Sequence, residues 1–255
     1  MAINLITFDV WDTLIIDDSD EIYRKNNGLP TKKQERIDLY HQFYNSEVNN
    51  LELVSKAIAH MESSFTDQWK KEFKTPGVRW RLNQVEKFIG KSIGKPFILE
   101  ESLKIDLVLK LEEMELKYPI EAMPGAKDFL ERLTHQYPHL RLGIISDAIY
   151  SPGRSIRKIL EGHDLLKYFS FFAFSDEVGC SKPSPEIFSF ICKKANGLPA
   201  ELIHIGDRQI NDVDGANNFG ANGILCQVNK DQIQTTATHH FVSYDQLDEI
   251  IQELM

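Results

Sequence analysis

The run Ile3–Phe8 is short, apolar and rich in β-branched residues, and it ends abruptly in acid at Asp9, the pattern of a buried strand. Such a strand needs neighbours to pair with, yet strand-like sequence does not resume until past Pro119. From Thr31 to about Phe73 the apolar positions Ile37, Tyr40, Tyr44, Val48, Leu51, Val54, Ile58, Met61 and Phe65 recur at helical spacing, in two pieces. Thr75-Pro76-Gly77 breaks the pattern, and Val78–Ile89 and Leu99–Tyr118 resume it. Beyond Pro119 the short apolar runs Leu140–Ile145, Phe171–Phe174, Leu202–Ile205 and Ile224–Val228 alternate with helical stretches at Ala126–Leu133, Ser155–Leu166, Pro185–Ala195 and Asp212–Phe219. That alternation predicts a parallel sheet covered by helices on both faces. A final helix opens at the Ser243…Gln246 pair, with Leu247, Ile250, Ile251 and Leu254 inward. The chain is therefore expected to be α/β: a three-layer, Rossmann-like parallel sheet in a discontinuous domain of residues 1–16 and 119–255, interrupted by an all-helical domain of residues 17–118.

At 255 residues the chain is long enough for one large domain with an insertion. Its net charge of −9 argues against a general nucleic-acid binder, whose affinity rests on neutralising phosphates. The N-terminal MAINLITFDVWDTL meets Asp9 after a short apolar run without a basic leader, which argues against a signal peptide. No run is long and apolar enough to span a bilayer. Cys180, Cys192 and Cys226 lack metal-ligand spacing and leave an odd count, so a reduced, cytoplasmic setting is expected. Monomer and homodimer both stay open.

Asp9, Ser146 and Asp207 each follow directly on an apolar strand, with Asp12 just beyond Asp9. The carboxyl ends of parallel strands line one crevice, where ligands bind. Acids gathered there need a counter-charge, and Mg2+ with oxygen ligands and a substrate phosphate supplies it. Lys182, in Gly179-Cys180-Ser181-Lys182-Pro183 before a helix, adds positive charge.

FDVWDTL, IISD, GCSKPSPEIF and IHIGDRQINDVDGANNFG, in that order, resemble the four signatures of the haloacid dehalogenase-like hydrolase superfamily. The matches cover the α/β part, and the helical block resembles that superfamily's cap by pattern alone. The resemblance implies a Mg2+-dependent phosphatase for a small phosphorylated metabolite. Asp9 would be the nucleophile that becomes an aspartyl phosphate; Ser146, Asp147 and Lys182 would bind the phosphoryl end of the substrate. Asp9, the Trp11 carbonyl and Asp207 would hold the metal, and Asp212 would support the metal shell or orient Lys182.

One position departs from the family pattern Asp-x-Asp-Gly-Thr. Trp11 stands where the second acid, the usual proton donor, belongs, and Asp12 stands at the glycine. A backbone contact to metal survives this change, but an indole cannot serve as the acid. The pattern thus expects turnover that favours aryl over alkyl phosphates, since aryl leaving groups need little protonation. Asp12 either replaces the acid from a shifted position or caps the following turn. The dehalogenase branch also lacks that acid, making a 2-haloacid dehalogenase an alternative, but it dispenses with the metal acid that Asp207 retains here. Binding of a phosphorylated ligand without turnover, and transfer to an acceptor other than water, are further alternatives.

Other features read as structural. Asp214 sits near a helix start, where acids suit the dipole. Arg79-Trp80-Arg81 reads as arginines on an exposed helix face, and Tyr40, Phe43 and Tyr44 as helix core. His135, His139, His163, His239 and His240 show no metal-binding spacing and read as surface or loop residues.

Overall fold

A computed structural model describes residues 2–230 and 234–255. Six strands form one sheet in the order β3-β2-β1-β4-β5-β6, every neighbouring pair parallel. They are β1 (Leu5–Phe8), β2 (Arg141–Ser146), β3 (Phe171–Phe174), β4 (Leu202–Gly206), β5 (Asn222–Cys226) and β6 (His239–Phe241). β1, first in the chain, lies between β2 and β4, with Phe8 opposite Ile144 and Ile205. The strand that lacks a sequential partner thus becomes central. β6 is the strand absent from the sequence reading: at three residues, two of them histidine, it is too short to show a period, yet it pairs Ile224 with His239 and Cys226 with Phe241.

Alternation along the strands sends side chains to two cores. Ile6, Phe8, Ile144, Ile203 and Ile205 pack with α6 (Ala126–Gln136), α7 (Gly153–Gly162) and the last helix, α11 (Tyr244–Leu254). Leu5, Ile145, Ala173 and Leu202 face the other way, against α9 (Pro185–Ala195) and α10 (Gly215–Phe219). The result is the three-layer α/β sandwich expected from the sequence. A single short helical turn, α8 (Ser175–Val178), follows β3. Ser243 caps α11 by accepting from the Gln246 amide, while the Gln246 side chain accepts from the Val242 amide.

Between β1 and α6 run α1 (Ser19–Asn26), α2 (Lys32–Val48), α3 (Leu51–Glu72), α4 (Val78–Ile93) and α5 (Glu101–Glu115). Thr31 caps α2 and Asn50 caps α3, each side chain accepting from the backbone N–H three residues on. These helices bury their own cluster, which includes Tyr40, Phe43, Tyr44, Ile58, Met61, Val85 and Leu107. The segments that leave and re-enter the sheet domain lie side by side: Ile15 bridges Ala122 antiparallel, Ile16 N donates to Glu121 O at 2.9 Å, and Met123 N to Leu14 O at 2.8 Å. Among the described residues no helix is long and apolar enough to cross a membrane.

Candidate active site

The carboxyl ends of β1, β2 and β4 converge with the loop before α9. Asp9 leaves β1 with its amide on Ile205 O at 2.8 Å, and the residue is 6% exposed. Lys182 reaches it across the loop, its Nζ 3.0 Å from Asp9 Oδ1, 2.6 Å from Asp212 Oδ1 and donating to Ile145 O at 3.0 Å. Burial alone works to lower the pKa of this amine. Asp212, Asp9 and Asp147 outweigh it and hold the ammonium well above the ordinary lysine range.

Asp212 lies on a π-helical turn, Gln209–Asp214, that replaces the start of the helix expected there. Its Oδ1 also meets His204 Nε2 at 3.1 Å, and its Oδ2 accepts from the Arg208 amide at 2.8 Å. Burial works to raise its pKa, but Lys182 and His204 prevail and keep the carboxyl below its usual range. His204 in turn contacts Thr7 Oγ1 at 2.9 Å, and burial lowers its own pKa against the pull of Asp212. The sequence reading passed over His204; its one signal is a polar residue inside the apolar run Leu202–Ile205. Gly206 makes room for all this, because a Cβ there would lie 2.2 Å from Asp212 Cγ.

Carboxylate oxygens of Asp9, Asp207 and Asp212 come within 4.8 Å of one another, an all-oxygen set able to hold a divalent cation. Burial, with Asp212 and Asp9 beside it, pushes the Asp207 carboxyl up to about 7. Lys230, also passed over by the sequence reading, forms an ion pair with Asp207 and lies 3.5 Å from Asp12 Oδ2. Ser146 ends β2 with its hydroxyl fully buried and without a hydrogen-bond partner among the described residues. Next to it, Asp147 accepts from the Lys182 amide at 3.0 Å and from Asn211 Nδ2 at 3.3 Å, and burial pushes its carboxyl up to about 6.

Trp11 is half-buried on the cavity wall. Asp12, at φ +50°, accepts at Oδ1 from the Asp17 amide at 3.2 Å and from Asn229 Nδ2 at 3.3 Å. Together with Lys230, these contacts commit the Asp12 carboxylate to its turn. A cavity of about 370 Å³ opens above Asp9, Trp11, Asp147 and Asp207, walled on the far side by Lys32, Lys33 and Arg36 of α2 and Trp69 of α3.

Tyr40, Phe43 and Tyr44 are core, as expected, and Asp214 accepts from Gln209 Nε2 at 2.7 Å. His239 and His240 lie in β6. Arg79 is exposed and paired with Glu101. Arg81 departs from the expected exposed face. It is buried, with its guanidinium 3.9 Å from the Phe65 ring centroid and 4.6 Å from that of Tyr150, and it donates to Ile149 O. Aromatic faces and a loop carbonyl replace the water it would otherwise need.

A family model described as haloacid dehalogenase-like hydrolase matches residues 3–220. The glyceraldehyde 3-phosphate phosphatase of Pyrococcus furiosus is 37% identical over 101 residues, 40% of this chain and 40% of that protein. The phosphoglycolate phosphatase of Salmonella choleraesuis is 26% identical over 142 residues, 51% of this chain and 52% of that protein. The chain thus matches about half or less of the length of these relatives. The 2-haloacid dehalogenase of Pseudomonas syringae pv. Tomato shares the fold, with a TM-score of 0.66 at 19% identity over 99% of this chain and 100% of that one.

Proposed function

The chain belongs to the haloacid dehalogenase-like hydrolase family, and from that premise we propose that it is a Mg2+-dependent phosphohydrolase of a small phosphorylated metabolite, working through an aspartyl phosphate on Asp9. The observation that carries this reading is the meeting of Asp9, Asp207 and Asp212 at the strand ends, with Lys182 inserted between Asp9 and Asp212. The phosphatases among its relatives support the same chemistry. The donor set fits Mg2+: it is all oxygen, and a cation, the Lys230 ammonium, already sits on Asp207. Asp9, Asp207 and the Trp11 carbonyl would hold the ion. When bound, Mg2+ neutralises charge on the phosphoryl oxygens and helps align the phosphate with its nucleophile.

The chain's own groups do the rest. Asp9 attacks phosphorus, and Lys182 holds negative charge at both the nucleophile and the phosphoryl oxygens. The unpartnered Ser146 hydroxyl donates to a phosphoryl oxygen. Asp147 fixes the Lys182 backbone from the same end of the cavity. Both oxygens of Asp212 are already taken, so it acts by orienting Lys182. Residues 17–118 form a cap over a core of residues 1–16 and 119–255, and cap side chains select the substrate. Free cysteines suit a cytoplasmic protein.

The test is hydrolysis of p-nitrophenyl phosphate with Mg2+ and then with EDTA, with Asp9→Asn as the blank. Activity that needs both the metal and Asp9 is the expected result. Silence from folded protein overturns the reading and makes 2-haloacids, favoured by Trp11, the next substrates.

A further inference from the structure

We propose that Asp17 is the proton donor and acceptor of the Asp9 site, the role that the indole of Trp11 leaves open; the inference rests on the phosphohydrolase reading above. The cavity is lined by several carboxyls, and nearly all are occupied. Asp9 carries Lys182, Asp207 carries Lys230, and Asp12 carries the Asp17 amide, Asn229 and Lys230. Asp147 accepts from Lys182 and Asn211, Glu21 from the Lys32 amide at 2.8 Å, and Glu115 from Arg36 and Ser151. Asp18 is exposed to solvent. Asp17 is the cavity carboxyl that, among the described residues, is partly withdrawn from water and has no donor to its oxygens.

Its place is fixed. The chain turns back after Trp11, and the Asp12 carboxylate, one residue on, grips the Asp17 backbone while sharing Lys230 with Asp207. Just before Asp17, Ile15 and Ile16 are tied to Ala122 and Glu121, so the residue is carried by a paired segment. Burial pushes its carboxyl up to about 6; Lys32 and Arg208 oppose the rise, and Asp18 and Asp12 add to it. A carboxyl raised this far toward neutral pH can both give and take a proton there, as a group serving as acid and then as base must.

The chemistry balances over two half-reactions. As Asp9 bonds to phosphorus, the bond to the leaving oxygen breaks and that oxygen takes the Asp17 proton, giving the free alcohol and an Asp17 carboxylate. Water then attacks phosphorus and gives a proton to Asp17, the Asp9–phosphorus bond breaks, and phosphate leaves with both carboxyls restored. The preference for good leaving groups expected from Trp11 alone is thereby relieved in the native chain.

The experiment compares an alkyl phosphate, glycerol 2-phosphate, whose alkoxide must be protonated as it leaves, with p-nitrophenyl phosphate, whose leaving group needs little protonation. Asp17→Asn should lose at least about 30-fold in kcat/KM on glycerol 2-phosphate and stay within about threefold on p-nitrophenyl phosphate, given the usual worth of an acid catalyst. Asp17→Glu, which keeps the carboxyl, should hold the ratio of the two substrates within a few-fold of the native one. Equal losses on both substrates, or no loss on either, overturn the assignment. A native protein inactive on both overturns the phosphohydrolase reading and the assignment with it.

Discussion

The groups that face the buried Lys182 ammonium are two carboxylates and a carbonyl, so its charge is fixed by partners rather than by water. Lys182→Met should cost roughly 10²–10³-fold in kcat, the usual loss for one preorganised donor to a developing charge. It should also cost about 3–5 kcal/mol of stability, because Asp212 stays buried with its main counter-charge gone. Steady-state kinetics and urea unfolding read the two effects separately, and a variant that loses neither would make Lys182 a bystander. Asp147 provides a pH signature. Its folded pKa, pushed by burial up to about 6 from 3.8, means the folded protein holds the proton more tightly than the unfolded chain. The stability this contributes is complete below the ordinary value and is lost as pH rises through about 6. In metal-free protein, Asp147→Asn should therefore gain up to about 3 kcal/mol relative to the native chain between about pH 4 and about pH 7. Denaturation at both pH values checks this, and a constant gap would contradict it. Asp9, Ser146 and Asp207 are legible in the sequence because a strand end places them without further information. His204, Lys230 and Asp17 are not, since their significance lies in Asp212, Asp207 and Asp12, partners that only the folded chain supplies.

Elements with a clear period could be read and those without could not. The helices from α2 to α5 repeat their apolar positions over several turns, whereas β6 has three residues and the Gln209–Asp214 turn has a wider helical geometry than the spacing implies. That turn explains the tightness of the site. It draws Asp212 back over the end of β4, where Gly206 has no side chain to obstruct it. Gly206→Ala places a methyl 2.2 Å from Asp212 Cγ, against a group that Lys182, His204 and the Arg208 amide hold in position. The backbone or the carboxylate must shift, at about 1–3 kcal/mol for overpacking of this kind. Thermal unfolding should show the loss, and hydrolysis should fall with it because Lys182 loses its register. Unchanged melting and turnover would mean that the turn is softer than its packing implies.

The molecule has separate buried clusters in the sheet domain and the helical segment, and the paired segments at Ile15 and Ala122 carry the chain between them. Contacts across the cavity are mostly polar and fall on the loops that carry Ser146 and Lys182. Arg81 and Glu62 hold the 149–150 segment, Glu115 receives Ser151, and the Ser181 amide donates to Phe73 O at 2.7 Å. Polar contacts of this kind exchange readily with water, unlike the apolar clusters on either side, so the expected behaviour is that the paired segments flex as a hinge and the contacts act as a latch. A ligand that joins Lys182 and Ser146 on one side to the α2 cations on the other binds only the latched form. It can therefore shift the population toward that form. Scattering from the protein in solution should show a smaller radius of gyration with Mg2+ and orthovanadate, a phosphate analogue, than with neither. Tyr150→Ala, which removes the ring between Arg36 and Arg81 and the hydroxyl on Glu62, should reduce that change and raise KM more than it lowers kcat. Equal radii with and without the analogue would mean that the latch stays shut and that substrate enters a rigid cavity.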